Sequence, residues 1–163
     1  MASLDVLTFE RCWDDRDCGP EQAVELYGGD LAEGLGHDCF AAERERLADR
    51  FEDALAVVAT RRLDAGDLIA ARLAAEHLVV RDPLREEAHA VLIAVHGLTG
   101  TRAQVVRQYR RVSEILAREL DEIPLPETDA TYRQALARTV ERSLERAAAI
   151  EPPSLAPLVV IGR

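Results

Sequence analysis

Lysine is absent: all 20 basic residues are arginine, so the chain has no Walker A lysine, no Schiff-base lysine and no lysine general base. Aromatic residues make up only 4% of the 163 residues, which argues against an aromatic-rich sheet sandwich and for slender, alanine-rich helices packed closely. Long apolar runs are missing too. None approaches the ~18 residues needed to span a bilayer, and the N-terminus has neither the basic nor the apolar region of a secretory signal. A cytoplasmic protein without membrane contact is expected. Cysteine is scarce, and Cys12, Cys18 and Cys39 show no CxxC spacing, so free thiols are expected rather than a disulfide framework or a zinc knuckle. Positive charge is also in deficit: 30 acidic residues give a net charge of -10, which repels a phosphate backbone.

What is present is helical periodicity. Phe40, Leu47, Phe51, Ala54, Leu55 and Val58 recur at helical spacing over 38–65 and make this the longest predicted helix. Gly66 suits a helix-ending position and Asp67 an N-cap, which predicts a helix over 68–81. Asp82 and Pro83 read as the N-cap and first residue of a helix over 84–98, ended by Gly100. Thr101 with Gln104 is a capping-box signature for 102–120, and Pro124 and Pro126 precede a last helix over 127–149. Shorter helices are predicted over 5–14 and 21–27, with a glycine-rich loop at 28–36 that lacks phosphate-loop spacing. Gly66 and Gly100, Ala71 and Val105, Ala75 and Tyr109, and Leu78 and Val112 are each 34 apart, the period of tetratricopeptide repeats. The expected architecture is all-α: tetratricopeptide-like antiparallel hairpins, about seven helices in a short right-handed superhelix.

Chemistry finds little support in the residues. His89 and His96 lie ~10.5 Å apart along one helix, too far to share an ion. His37 and Cys39 lack a second pair of ligands, so no metal and no cofactor are expected. Ser3, Ser113, Ser143 and Ser154 have no recognisable base partner. No catalytic residue is assigned. Arg107, Arg111, Glu114 and Arg118 fall on one stripe of a helix, which reads either as a solvated face with ion pairs along the helix or as a contact with another domain or protein. Arg107, Arg111 and Arg118 are the candidate interaction residues.

The blocks Asp82-Pro83-Leu84-Arg85-Glu86-Glu87-Ala88-His89, Arg107-Gln108-Tyr109-Arg110-Arg111, Glu119-Leu120 and Pro124-Leu125-Pro126-Glu127-Thr128, preceded by Tyr27-Gly28-Gly29-Asp30-Leu31 and Ala42-Glu43-Arg44-Glu45-Arg46-Leu47, resemble the bacterial transcriptional activator domain. That domain occurs in antibiotic regulatory proteins of the SARP class and in larger ATPase-bearing relatives. The resemblance spans residues 5–147. It implies a helical module that follows a winged-helix DNA-binding domain and packs against it, self-associates or contacts the transcription machinery. Three positions depart from the family pattern: Cys39-Phe40 where a tryptophan is usual, Asp121 in place of a helix-ending glycine, and Leu125 in place of a capping serine.

The resemblance thus implies a non-enzymatic regulatory and interaction module over 1–150, with 151–163 a proline-rich linker whose end resembles the first strand of a P-loop ATPase domain. Its implied partners are the winged-helix domain of the same polypeptide, and RNA polymerase or another copy of the chain. The alternative is a free-standing tetratricopeptide-like scaffold that binds a peptide or partner protein in its concave groove.

No helix in this reading bears an uninterrupted basic face. The purified chain is therefore expected to show no measurable affinity for duplex DNA at physiological salt. An electrophoretic shift at micromolar protein that weakens with added salt would contradict this.

Overall fold

The computed structural model describes Cys12 and residues 19–26 and 41–149. Among these residues the chain is all-helical and has no strand. Apart from the helical Cys12, the described residues form six α-helices: α1 Pro20–Leu26, α2 Ala41–Asp64, α3 Leu68–Arg81, α4 Glu86–Thr99, α5 Arg102–Glu119 and α6 Pro126–Ala148. The helix expected over 5–14 lies outside the described residues apart from Cys12, as do the glycine-rich loop and the segment 151–163. Cys12 corrects one expectation: it is disulfide-bonded rather than free, with its partner outside the described residues. Sequence spacing is a poor guide here, because pairing depends on which cysteines the fold brings within about 7 Å.

Most helix boundaries follow from local chemistry. Gly66 takes φ +78°, a left-handed conformation that a Cβ would strain. Asp67 then accepts the Ala70 amide at 3.1 Å and starts α3. Thr101 and Gln104 form the reciprocal capping box of α5, and Pro126 occupies the first turn of α6.

The α3–α4 junction differs from its sequence reading. Asp82 closes α3 instead of opening α4: its amide donates to the Leu78 carbonyl at 2.8 Å and its carboxylate accepts the Leu84 amide at 2.9 Å. Proline pushes the residue before it out of the helical region, which ends α3, and Asp82 sits at φ -128°, ψ 97°. Two departures from the family pattern also have visible consequences. Asp121 takes the left-handed conformation itself, at φ 56°. Leu125 supplies no side-chain cap to α6, and its amide donates instead to Glu86 Oε2 at 2.9 Å.

Tertiary packing centres on α4, which touches α2, α3, α5 and α6. Its buried positions, Ala88, His89, Val91, Leu92, Ile93, Val95 and Gly97, run around most of its circumference, the signature of an interior helix. Two adjacent residues divide it between two clusters. Leu92 joins Leu47, Phe51, Leu55, Ala71, Ala75 and Leu78 in the main core. Ile93 joins Val105 and Ala135, with Tyr109, Tyr132 and Leu136 against them.

Small residues set the helix spacing. Ala54 and Ala59 of α2 and Ala71 and Ala75 of α3 are fully buried, which allows the two backbones to approach closely. Gly97 is the tightest point: a Cβ there would lie 2.6 Å from the Ala135 Cβ and 2.8 Å from its Cα. Helices α4 and α6 run in the same direction, because Glu86 meets Leu125 at one end and Leu98 meets Arg142 at the other.

In an exposed helix, Gly→Ala stabilises by up to about 1 kcal/mol. At Gly97 the overpacking against α6 backbone should dominate, so Gly97→Ala is expected to lose a net 1–3 kcal/mol, on the order of known overpacking costs. Leu55→Ala, which leaves a cavity in the main core, should lose about 2–5 kcal/mol. Urea titrations of both variants check this, and a Gly97→Ala midpoint at or above that of the parent chain would refute the close α4–α6 contact.

Candidate interaction surface

The residues that carry the resemblance converge on the start of α4. His89 is completely buried. Its Nε2–H donates to the Pro83 carbonyl at 3.0 Å, and its Nδ1 accepts from the Gln108 amide at 2.8 Å. A carbonyl can only accept, so this arrangement assigns the neutral Nε2–H tautomer. Arg85 reaches Asp53 of α2 at 2.8 Å, and Glu86 holds the Leu125 amide. Tyr109 stacks on Tyr132, with centroids 4.0 Å apart, and donates to Asp129 at 3.1 Å. One turn thereby ties α2, α4, α5 and the entry to α6 together. At the other end of α4, the Arg142 guanidinium of α6 donates to the carbonyls of Gly97, Leu98 and Gly100, satisfying groups that the helix leaves without partners.

Around α4, α2 touches α3, and α5 touches α6, but no contact links α3 with α5 or α2 with α6. Two seams result. The α2–α6 seam is a groove of about 590 Å³ floored by Ala90, Val91 and Ala94, with Thr60, Glu87 and Arg138 among its lining. The α3–α5 seam holds a hollow of about 310 Å³ lined by Ile69, Arg72, Val95, His96 and Gln104. A third groove, about 720 Å³, lies beside the α5–α6 connection at Tyr109, Ile123, Pro124 and Arg133.

The three candidate arginines are all exposed on α5. Arg118 pairs with its neighbour Glu119 at 2.8 Å. Arg107 and Arg111 make no ion pair among the described residues, and Glu114 does not bridge to them. They lie three and seven residues beyond Gln104, which lines the α3–α5 hollow, and each is close enough to bias a histidine, Arg107 the seam's His96 and Arg111 the buried His89. Burial, Arg72 and Arg107 hold the His96 pKa below its ordinary value, against Glu76, which favours the charged form. Burial also lowers the His89 pKa, with Arg111 adding to it, while the Pro83 carbonyl, Glu86 and Asp82 oppose. The stripe is thus divided: Arg118 has an acid beside it, whereas Arg107 and Arg111, nearer the start of the helix, make no ion pair among the described residues.

Sequence periodicity missed a second feature. Ile69, Leu73 and Val80 of α3 are strongly exposed. The signal was available, because apolar residues occupy both the inner and the outer face of α3 and only Arg72, Glu76, His77 and Arg81 interrupt them.

Among the described residues, no three His, Cys, Asp or Glu side chains gather as a metal-ligand set, and no helix is long and apolar enough to cross a membrane. The hydroxyls of Ser113 and Ser143 donate back to the Tyr109 and Thr139 carbonyls one turn earlier.

A histidine whose pKa falls on folding binds its proton less readily in the native state than in the unfolded one. Between the lowered native value and the unfolded value near ~6.5, stability therefore rises with pH. Unfolding free energy should fall as pH drops from ~7.5 to ~5.5, and His89→Gln should flatten that slope. Denaturant titrations at both pH values check it, and an unchanged slope in the variant would exclude His89 as its source.

The bacterial transcriptional activator domain matches residues 18–136 of the chain. No curated protein and no solved structure matches it. That match takes in α1 to α5, the turn at Pro83, the His89–Gln108 pair and the start of α6. The chain belongs to the bacterial transcriptional activator domain family.

Proposed function

We propose that the chain is the non-enzymatic regulatory and protein-interaction module of a bacterial transcription regulator, acting in the cytoplasm with a winged-helix DNA-binding domain. The observation that carries this reading is the family match over 18–136. A net charge of -10 supports it as well, since a module that repels DNA needs another domain to read the promoter. In this reading residues 1–150 form the module and 151–163 a linker towards a further domain. RNA polymerase or a second copy is the further partner, and Arg107 and Arg111 stand on its contact surface.

The helix order supports a tetratricopeptide-like arrangement. Helices α2 and α3 form one hairpin and α4 and α5 the next, and α4 packs on both α2 and α6. Such hairpins bury their apolar faces only against neighbours. The 590 Å³ groove between α2, α4 and α6 favours a second reading, a free-standing scaffold that takes a peptide there.

The two readings separate in transcription assays on the regulator that carries the module. Removing 18–136 should abolish activation and leave promoter binding by the winged-helix domain measurable. Full activation without the module would overturn the first reading.

A further inference from the structure

Helix α3 is apolar on two opposite faces. Ala71, Ala75 and Leu78 are fully buried inward. Outward, Ile69, Leu73 and Val80 are 72%, 56% and 79% exposed, at spacings of four and seven that align them along one edge. Single exposed aliphatics are ordinary, whereas a row of three on one helix is the pattern of an interface.

The row starts at Ile69, which lines the α3–α5 hollow together with Arg72 and with Gln104 of α5, and Arg107 and Arg111 follow Gln104 by three and seven residues, on the same face of α5. Arg107 and Arg111 make no ion pair among the described residues. Arg72 reaches only Glu76, at 3.8 Å with both side chains about half exposed, a weak pairing in water. The acids near His89 are already engaged, Glu86 by the Leu125 amide and Asp82 by Arg85 and the Leu84 amide. A local excess of positive charge therefore lies beside an apolar edge, on a chain whose net charge is -10.

We propose that this seam docks an acidic amphipathic helix of a partner protein, with its apolar edge on Ile69, Leu73 and Val80 and its carboxylates facing Arg72, Arg107 and Arg111. Helix-in-groove recognition uses anchors at this spacing, and opposite charge along the rim sets orientation and on-rate. A second copy fits less well, because pairing α3 with α3 leaves Arg107 and Arg111 without counter-charges. This partner chemistry goes beyond the assignment to a transcription regulator and holds whether or not a winged helix is attached.

The test uses the full chain and three fluorescein-labelled synthetic peptides, each of 14 residues to match the length of α3. One is an acidic amphipathic helix with leucines at spacings of four and three and glutamates between them. The second has the same composition with the leucines scattered, and the third keeps the leucine pattern with glutamine in place of glutamate. Fluorescence anisotropy should show the first binding at least about tenfold more tightly than either control, and more weakly at high salt. Arg107→Ala with Arg111→Ala should weaken it about tenfold, and Leu73→Ser about fivefold. Amide shifts in NMR spectra should cluster on α3 and α5. Equal binding of the three peptides, indifference to both variants, or shifts confined to the α2–α6 groove would overturn the proposal. Self-association of the free chain that Leu73→Ser abolishes would overturn it in favour of a second copy.

Discussion

Helix α4 has almost no solvent face, and much of the remaining structure is the consequence. A helix that is apolar around most of its circumference must be enclosed, and here four neighbours enclose it. Enclosure removes water from its polar ends as well, so both ends need partners within the protein. At its start the burial of His89 is tolerated only because Pro83 and Gln108 satisfy both ring nitrogens. At its end the free carbonyls are met by Arg142 of α6, while Gly97 supplies the close approach that brings α6 near enough. The blocks that mark the family in this sequence, from Asp82 to His89 and from Arg107 to Arg111, are in large part these joints. Their chemistry is that of assembly: a turn, a carbonyl, an imidazole and an amide in series.

Most of this fold could be read from the sequence because its signals are local. Asp67 and Thr101 with Gln104 act through bonds to residues three positions away and Pro126 through its fixed φ, and their helices begin where local rules place them. Asp82 shows where such rules compete. A capping residue and a first-turn proline favour a start at Pro83, but Asp82 instead ends α3 and caps the intervening turn through the Leu84 amide, and α4 begins at Glu86. Long-range facts were not visible in the same way. The Arg142 contacts with α4 and the Glu86–Leu125 bond join residues whose proximity depends on tertiary packing. The arginine stripe was legible as a stripe, but its division was not, because spacing alone does not show which arginines meet an acid.

Around one helix there is room for about six others of equal diameter. Four neighbours touching in two pairs, α2 with α3 and α5 with α6, therefore leave two openings along α4. The residues of α4 that face them differ in kind. Ala90 and Ala94 floor the α2–α6 opening with little more than methyl groups, so depth is its main property. Val95 and His96 floor the other, beside Ile69 and Arg72 of α3, so charge and hydrophobicity occur side by side. The two openings follow from one packing constraint, yet they suit different occupants.

The net charge of the chain sharpens this difference. Some of the described arginines meet an acid, as Arg133 does at Asp129 and Arg85 at Asp53. Arg107 and Arg111 do not, and α3 beside them exposes three aliphatic residues that gain nothing from water. Neither feature stabilises the isolated fold: exposed aliphatics favour unwanted association, and clustered like charges repel. Both become favourable together only when something apolar and acidic covers the seam. Net negative charge over the rest of the chain would oppose such a ligand, so the seam arginines and the exposed aliphatics act together to set where an acidic helix is held.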